Sequence, residues 1–138
     1  MLINDLISPK NQYNFANMAT IVSNLPQQID YEVWQGDTWL PGTITATLNS
    51  TPINFTGYAA KMEIRHAITR EVVLTLTSSP AFGITLSNVG VITLSMTAAQ
   101  TSDLLGEYVY DLQITYPSGN IRTYTYGTIT VYLDATAN

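Results

Sequence analysis

Alternation of apolar and polar residues recurs through most of this chain and limits its fold more than any other feature. A period of two marks a strand with one face buried and the other open. Ile44, Ala46 and Leu48 alternate with Thr43, Thr45 and Thr47. Tyr58, Ala60, Met62 and Ile64 take one parity while Lys61, Glu63 and Arg65 take the other. Val72, Leu74 and Leu76 oppose Glu71, Val73 and Thr75, and Ile92, Leu94 and Met96 oppose Thr93 and Ser95. The longest such run places Tyr108, Tyr110, Leu112, Ile114 and Tyr116 against Glu107, Asp111, Gln113 and Thr115. Threonine and tyrosine suit a pleated, half-buried surface, and both are abundant here.

Turn chemistry separates the strands. Pro117-Ser118-Gly119-Asn120 reads as a hairpin loop between two long strands, and Asn88-Val89-Gly90 as a second hairpin. Asn49-Ser50-Thr51-Pro52 and Thr56-Gly57 punctuate the earlier part. One segment departs from the alternation. Thr97 is a candidate N-cap, Gln100 completes a capping box, and Gly106 is a candidate helix stop, so 97–106 reads as a short helix crossing between sheets. The expected fold is all-β: an immunoglobulin-like antiparallel β-sandwich with one short crossover helix and an extended N-terminal arm. The domain assignment is an arm over 1–27 and a sandwich over 28–138. The arm shows no alternation. Its apolar residues, Leu2, Ile3, Leu6, Ile7 and Phe15 among them, are too many for a solvated tail, so it is expected to dock on its own domain or on another subunit.

Composition narrows the chemistry. The 138 residues contain no cysteine, which removes disulfides, thiol nucleophiles and cysteine metal sites. Five Lys+Arg against ten Asp+Glu argue against a nucleic-acid partner. No run of about 18 apolar residues offers a membrane-spanning helix, so no membrane partner is expected. His66 is the single histidine and lies at a strand end, where an ordinary hydrogen bond accounts for it. No HExxH, GxSxG or phosphate-loop motif occurs. Asp30, Glu32 and Asp37, and Glu107 with Asp111, invite a carboxylate-pair reading. A glycosidase, however, needs two carboxylates facing each other across a cleft of roughly 5–10 Å, an arrangement that sequence does not show. The expectation is a protein that is not an enzyme and carries no cofactor and no metal.

Aromatic residues offer a different function. Trp34, Trp39 and the tyrosines could stack on sugar rings or pack in the core. In the last strand, Ile121, Ile129, Val131 and Leu133 face one way, while Tyr124, Tyr126 and Tyr132 share the face of Arg122, Thr128 and Thr130. Either both faces are covered or a tyrosine row is exposed, and an exposed row has the composition of a protein–protein contact. Tyr124, Tyr126 and Tyr132 therefore join Leu2, Ile3, Leu6, Ile7 and Phe15 as candidate interface residues.

Three stretches also carry a resemblance. Tyr31-Glu32-Val33-Trp34-Gln35-Gly36-Asp37-Thr38-Trp39 gives an aromatic–charged strand, then Gly-Asp, then an aromatic. Ile53-Asn54-Phe55-Thr56-Gly57-Tyr58 opens an alternating strand through Arg65. Gly90 to Thr101 and Gly106-Glu107-Tyr108-Val109-Tyr110-Asp111-Leu112 give strand, short helix and strand. In this order, over about 30–133, they resemble the N-terminal immunoglobulin-like domain of baseplate upper proteins and related tail accessory proteins of tailed phages. The resemblance implies a non-enzymatic virion component that assembles with copies of itself and with other virion proteins. It transfers no catalytic residue. Such proteins continue into a stalk or receptor-binding part, whereas this sequence reaches only Asn138. The expectation is therefore the domain alone, in the tail, baseplate, neck or capsid. Alternative roles are capsid decoration and host or carbohydrate binding at the virion surface.

Overall fold

The computed structural model describes residues 18–21 and 25–135 of the chain. It is all-β, about 55% strand and 5% helix, and its two sheets form a sandwich. Eleven strands follow in chain order: β1 Met18–Ile21, β2 Gln27–Gln28, β3 Tyr31–Trp34, β4 Thr43–Leu48, β5 Thr51–Pro52, β6 Ala59–His66, β7 Val72–Thr77, β8 Ile84–Leu86, β9 Val91–Leu94, β10 Gly106–Thr115 and β11 Ile121–Tyr132. The one helix among the described residues is α1, Ala98–Ser102.

One sheet runs β1-β4-β9-β8, with β5 beside β4. The other runs β11-β10-β6-β7, with β2 and β3 both on the free side of β11. From β4 on, the orders β4-β9-β8 and β11-β10-β6-β7 follow those of an immunoglobulin sandwich, with β7 beside the strand that corresponds to C. β1 lies in the first sheet, and β2 and β3 lie in the second. β1 pairs parallel with β4, and β2 and β3 pair parallel with β11. Of the described residues assigned to the arm, Met18–Ile21 pair with β4 and Gln27 pairs with Thr125 of β11. The remaining pairs are antiparallel.

The alternation works as expected through the centre of both sheets. Ile44, Ala46, Met62, Ile64, Leu76, Ile92, Leu94, Leu112, Ile114, Ile129 and Val131 form the shared core. Removing their side chains from water supplies the main drive for folding, about 1.5–3 kcal/mol for each large aliphatic group. Tyr108 adds an immunoglobulin hallmark at the start of β10. Its hydroxyl accepts from the Leu105 N–H at 2.9 Å and donates to the Leu105 carbonyl at 3.2 Å, a tyrosine corner.

α1 carries the chain from β9 to β10, between the sheets. Thr97 Oγ1 accepts from the Gln100 N–H at 3.1 Å, and Gln100 Oε1 accepts from the Thr97 N–H at 2.8 Å. This is the expected capping box. The expected stop is displaced: Asp103 caps the helix, and Gly106, at φ +96°, opens β10.

Two bulges break the parity that the sequence suggests. In β7 the register slips between Ile64 and Arg65, so Val72 lies beside outward-facing Arg65 and is exposed. In β11 it slips between Leu112 and Gln113, whose partners are Thr125 and Thr123. Tyr124 is the extra residue, and a bulge reverses the facing of everything on one side of it.

Candidate protein-protein interface

The β11 bulge divides the three tyrosines. Tyr124 turns into the core against Phe55, and its hydroxyl lies 2.7 Å from that of Tyr116. Burial pushes its hydroxyl well above the usual tyrosine range, and the Tyr116 hydroxyl adds to the shift. Arg122 reaches the same pair, with Nη1 donating to Tyr116 Oη at 3.3 Å. Of the three candidate interface tyrosines, Tyr124 is corrected to a core residue, because the inserted residue moves it to the opposite face. Tyr126 and Tyr132 remain on the outer face, 42% and 39% exposed. Leu2, Ile3, Leu6, Ile7 and Phe15 lie outside the described residues.

Tyr126 borders a shallow groove of about 400 Å³ on the outer face of the β11-β10-β6 sheet, with Gln28, Glu63, Arg65 and Asp111 along it. Register places Tyr126, Asp111 and Glu63 side by side on three strands. Partial burial raises the Asp111 carboxyl above its ordinary value, and the charge of Glu63 adds to the shift. Glu63 accepts from Arg65 at 2.7 Å and lies 3.8 Å from the Lys61 ammonium. These solvated pairs contribute little to stability, about 0–1 kcal/mol each.

A second surface lies where β3 and β11 end together. Trp34 is the register partner of Tyr132, their rings are 5.4 Å apart at 41°, and Trp34 is 53% exposed. The Tyr132 hydroxyl donates to Glu32 Oε2 at 3.3 Å. Leu105 directly precedes Gly106, which pairs with Val131, so Leu105 reaches the same edge at 52% exposure. Leu133 follows Tyr132 at 65% exposure, because β11 ends before its inward parity can be used. The mounting is firm. The Gln35 side-chain amide donates to the Leu104 carbonyl at 3.0 Å and to the Ser102 carbonyl at 3.3 Å. Thr101 Oγ1 accepts from the Gly36 N–H at 3.1 Å and donates to the Asp37 carbonyl at 2.7 Å. A firmly mounted, exposed Trp–Tyr pair has the chemistry of an interface anchor.

Pairing of β3 with β11 places Trp34 on the outer face; the signal available in sequence is that it shares parity with Glu32. Trp39 is buried, packed edge-on against Tyr31 at 5.1 Å. His66 Nδ1 accepts from the Ile68 and Thr69 N–H groups at 3.2 and 3.3 Å, which holds the β6–β7 turn. Asp30 caps a gap in the β3–β11 ladder, with Oδ1 accepting from the Thr128 N–H at 3.0 Å. Among the described residues no cluster of three or more His, Asp and Glu could hold a metal ion, and no helix is long and apolar enough to cross a membrane.

No protein-family model and no curated protein matches the chain. Among solved structures, the fold is similar to the "N-terminal domain of phage TP901-1 ORF48", at a TM-score of 0.50 and 13% identity. The alignment covers 84% of this chain and 97% of that one, so the likeness extends over nearly the whole sandwich.

Proposed function

We propose that this chain is a non-enzymatic structural component of a tailed-phage virion. In this reading it is an assembly or adaptor domain of the tail, baseplate or neck that contacts other virion proteins and copies of itself. The observation that carries the reading is the fold shared with a domain of a phage protein over 84% of the chain. The order of sequence motifs over about 30–133 supports it independently. So does the firmly held Trp34–Tyr132 pair, since exposed aromatics on rigid strands suit assembly. No nucleic acid, membrane or cofactor enters the proposal.

The test is quantitative mass spectrometry of particles purified from the phage whose genome encodes the chain. The expected result is the protein at a fixed ratio to the major structural proteins. Its absence from intact particles would reject the reading. A truncation refines the test. Removing 1–27 would also remove β1 and Gln27 of β2, so the informative deletion is 1–17. That variant is expected to fold and fail to incorporate; normal incorporation would remove the arm from the assembly contact.

The Tyr126 groove favours a second reading, a carbohydrate- or host-binding module on the virion surface. An aromatic ring beside carboxylate, amide and guanidinium groups is the side-chain set that holds a sugar. Glycan-array binding that is lost in Tyr126→Ala would raise this reading above the first, and absence of all glycan binding would remove it.

A further inference from the structure

The charge around the Trp34–Tyr132 surface specifies what it docks against. Three segments meet there: 31–37, 101–107 and 129–134. Together they hold Glu32, Asp37, Asp103, Glu107 and Asp134, five of the ten acidic residues of the chain, and none of its five Lys and Arg. Register sets Glu32 and Glu107 on either side of Thr130, in the row next to Trp34 and Tyr132. The concentration is local. The neighbouring outer face of β6 and its turn has mixed charge, with Lys61, Arg65 and Arg70 beside Glu63 and Glu71. The apolar centre of the surface, Trp34 and Tyr132 with Leu105 at the end of the neighbouring strand, is thus bordered by one sign of charge.

We propose that this surface is a docking site for a different, cationic virion protein, one that presents an apolar protrusion bordered by lysine or arginine. The proposal deepens the assembly reading above and rests on it. Charge complementarity selects the occupant. A second copy placed face to face would bring two acidic borders together, and like charges across an interface are costly. A basic border instead meets Glu32 and Glu107 with opposite charge, while the Trp34 and Tyr132 rings cover its apolar centre. Self-contact, where it occurs, belongs to another surface.

The experiment uses the full chain. The products of the genes flanking it are purified, and each is titrated against the wild-type chain by calorimetry at low and high NaCl. One of them is expected to bind, more weakly at high salt. Trp34→Ala is expected to weaken binding by about 10- to 30-fold, as the loss of an aromatic anchor does. Glu32→Lys is expected to weaken it as well. Leu105→Ser serves as a second variant, since Leu105 lies outside the core, and unchanged melting temperatures establish that the variants fold. Binding that ignores Trp34→Ala and Leu105→Ser overturns the proposal, as does binding insensitive to salt and to Glu32→Lys. So does a failure of every flanking product to bind. A wild-type dimer by light scattering that Trp34→Ala converts to monomer overturns it too, because the occupant is then a second copy. None of these failures removes the protein from the particle, so the assembly reading is judged separately by its presence there.

Discussion

The Tyr110 hydroxyl donates a buried 2.6 Å hydrogen bond to the Ile29 carbonyl, tying β10 to the junction between β2 and β3. At that junction the parallel ladder along β11 pauses. Pairing runs through Gln27 and Gln28, then resumes at Tyr31. Tyr110 and the Asp30 side chain fill the gap, one meeting a carbonyl and the other the Thr128 N–H. Tyr110→Phe keeps the ring and removes the donor. It is expected to cost about 1–3 kcal/mol, read from urea denaturation.

Alkaline pH tests the same group and its neighbours. Burial pushes the Tyr31, Tyr110 and Tyr124 hydroxyls above their ordinary value, and for Tyr110 the proximity of Tyr31 adds to the shift. A raised folded-state value means that folding favours the neutral phenol. The resulting stability is fully present below the unfolded value of about 10 and is lost as pH climbs toward the folded values. The unfolding free energy should therefore hold until about pH 10 and fall steeply above it, and Tyr110→Phe should make that fall shallower.

Gly127 lies where the β2–β3 junction presses against β11. A Cβ there would overlap the Ile29 carbonyl and stand 2.6 Å from Asp30 Oδ1. Neither can retreat without breaking the bonds to Tyr110 and Thr128. Gly127→Ala is expected to lose about 3 kcal/mol, at the upper end of overpacking effects, with the thermal midpoint as the measurement.

Thr101 carries the link between α1 and the turn after β3. Thr101→Val preserves the shape but leaves the Gly36 N–H and the Asp37 carbonyl without this partner. The expected loss is about 1–3 kcal/mol. Hydrogen exchange should locate the loosening at 35–37, beneath Trp34.

Asp111 is predicted to respond in the opposite direction. Its carboxyl is raised, first by burial and then by Glu63, so its ionised form is penalised in the folded state. Asp111→Asn should raise the thermal midpoint at pH 7. The advantage should shrink as pH falls through the carboxylate range near 4, where the wild-type side chain becomes neutral as well.

How much of this was legible in the sequence depended on locality. Alternation identified the core strands, and Thr97 with Gln100 marked the helix start, because both signals lie within a few residues. The bulges at Val73 and Tyr124 were not legible. A bulge is set by the strand opposite, and no residue type announces it; Tyr124 accordingly sits in the core instead of beside Tyr126. Pairing across long separations was also hidden. Trp34 and Tyr132 meet because β3 runs parallel to a strand 98 positions later, and nothing near Trp34 encodes that. The candidate surface was therefore half visible, with Tyr132 read from parity and Trp34 and Leu105 joined to it only by topology.

The parallel pairing of β3 with β11 has a mechanical consequence. Tension between the chain before Gln27 and the chain after Leu133 pulls these two strands in opposite directions along their lengths. The bonds from Gln35 N–H to the Tyr132 carbonyl and from Ile29 N–H to the Tyr126 carbonyl, 2.8 and 2.9 Å, then take the load together, in shear. They do not give way in succession, as they would if the strands were peeled apart. A sheet closed in this way resists being pulled open along β3 and β11 more than it resists peeling.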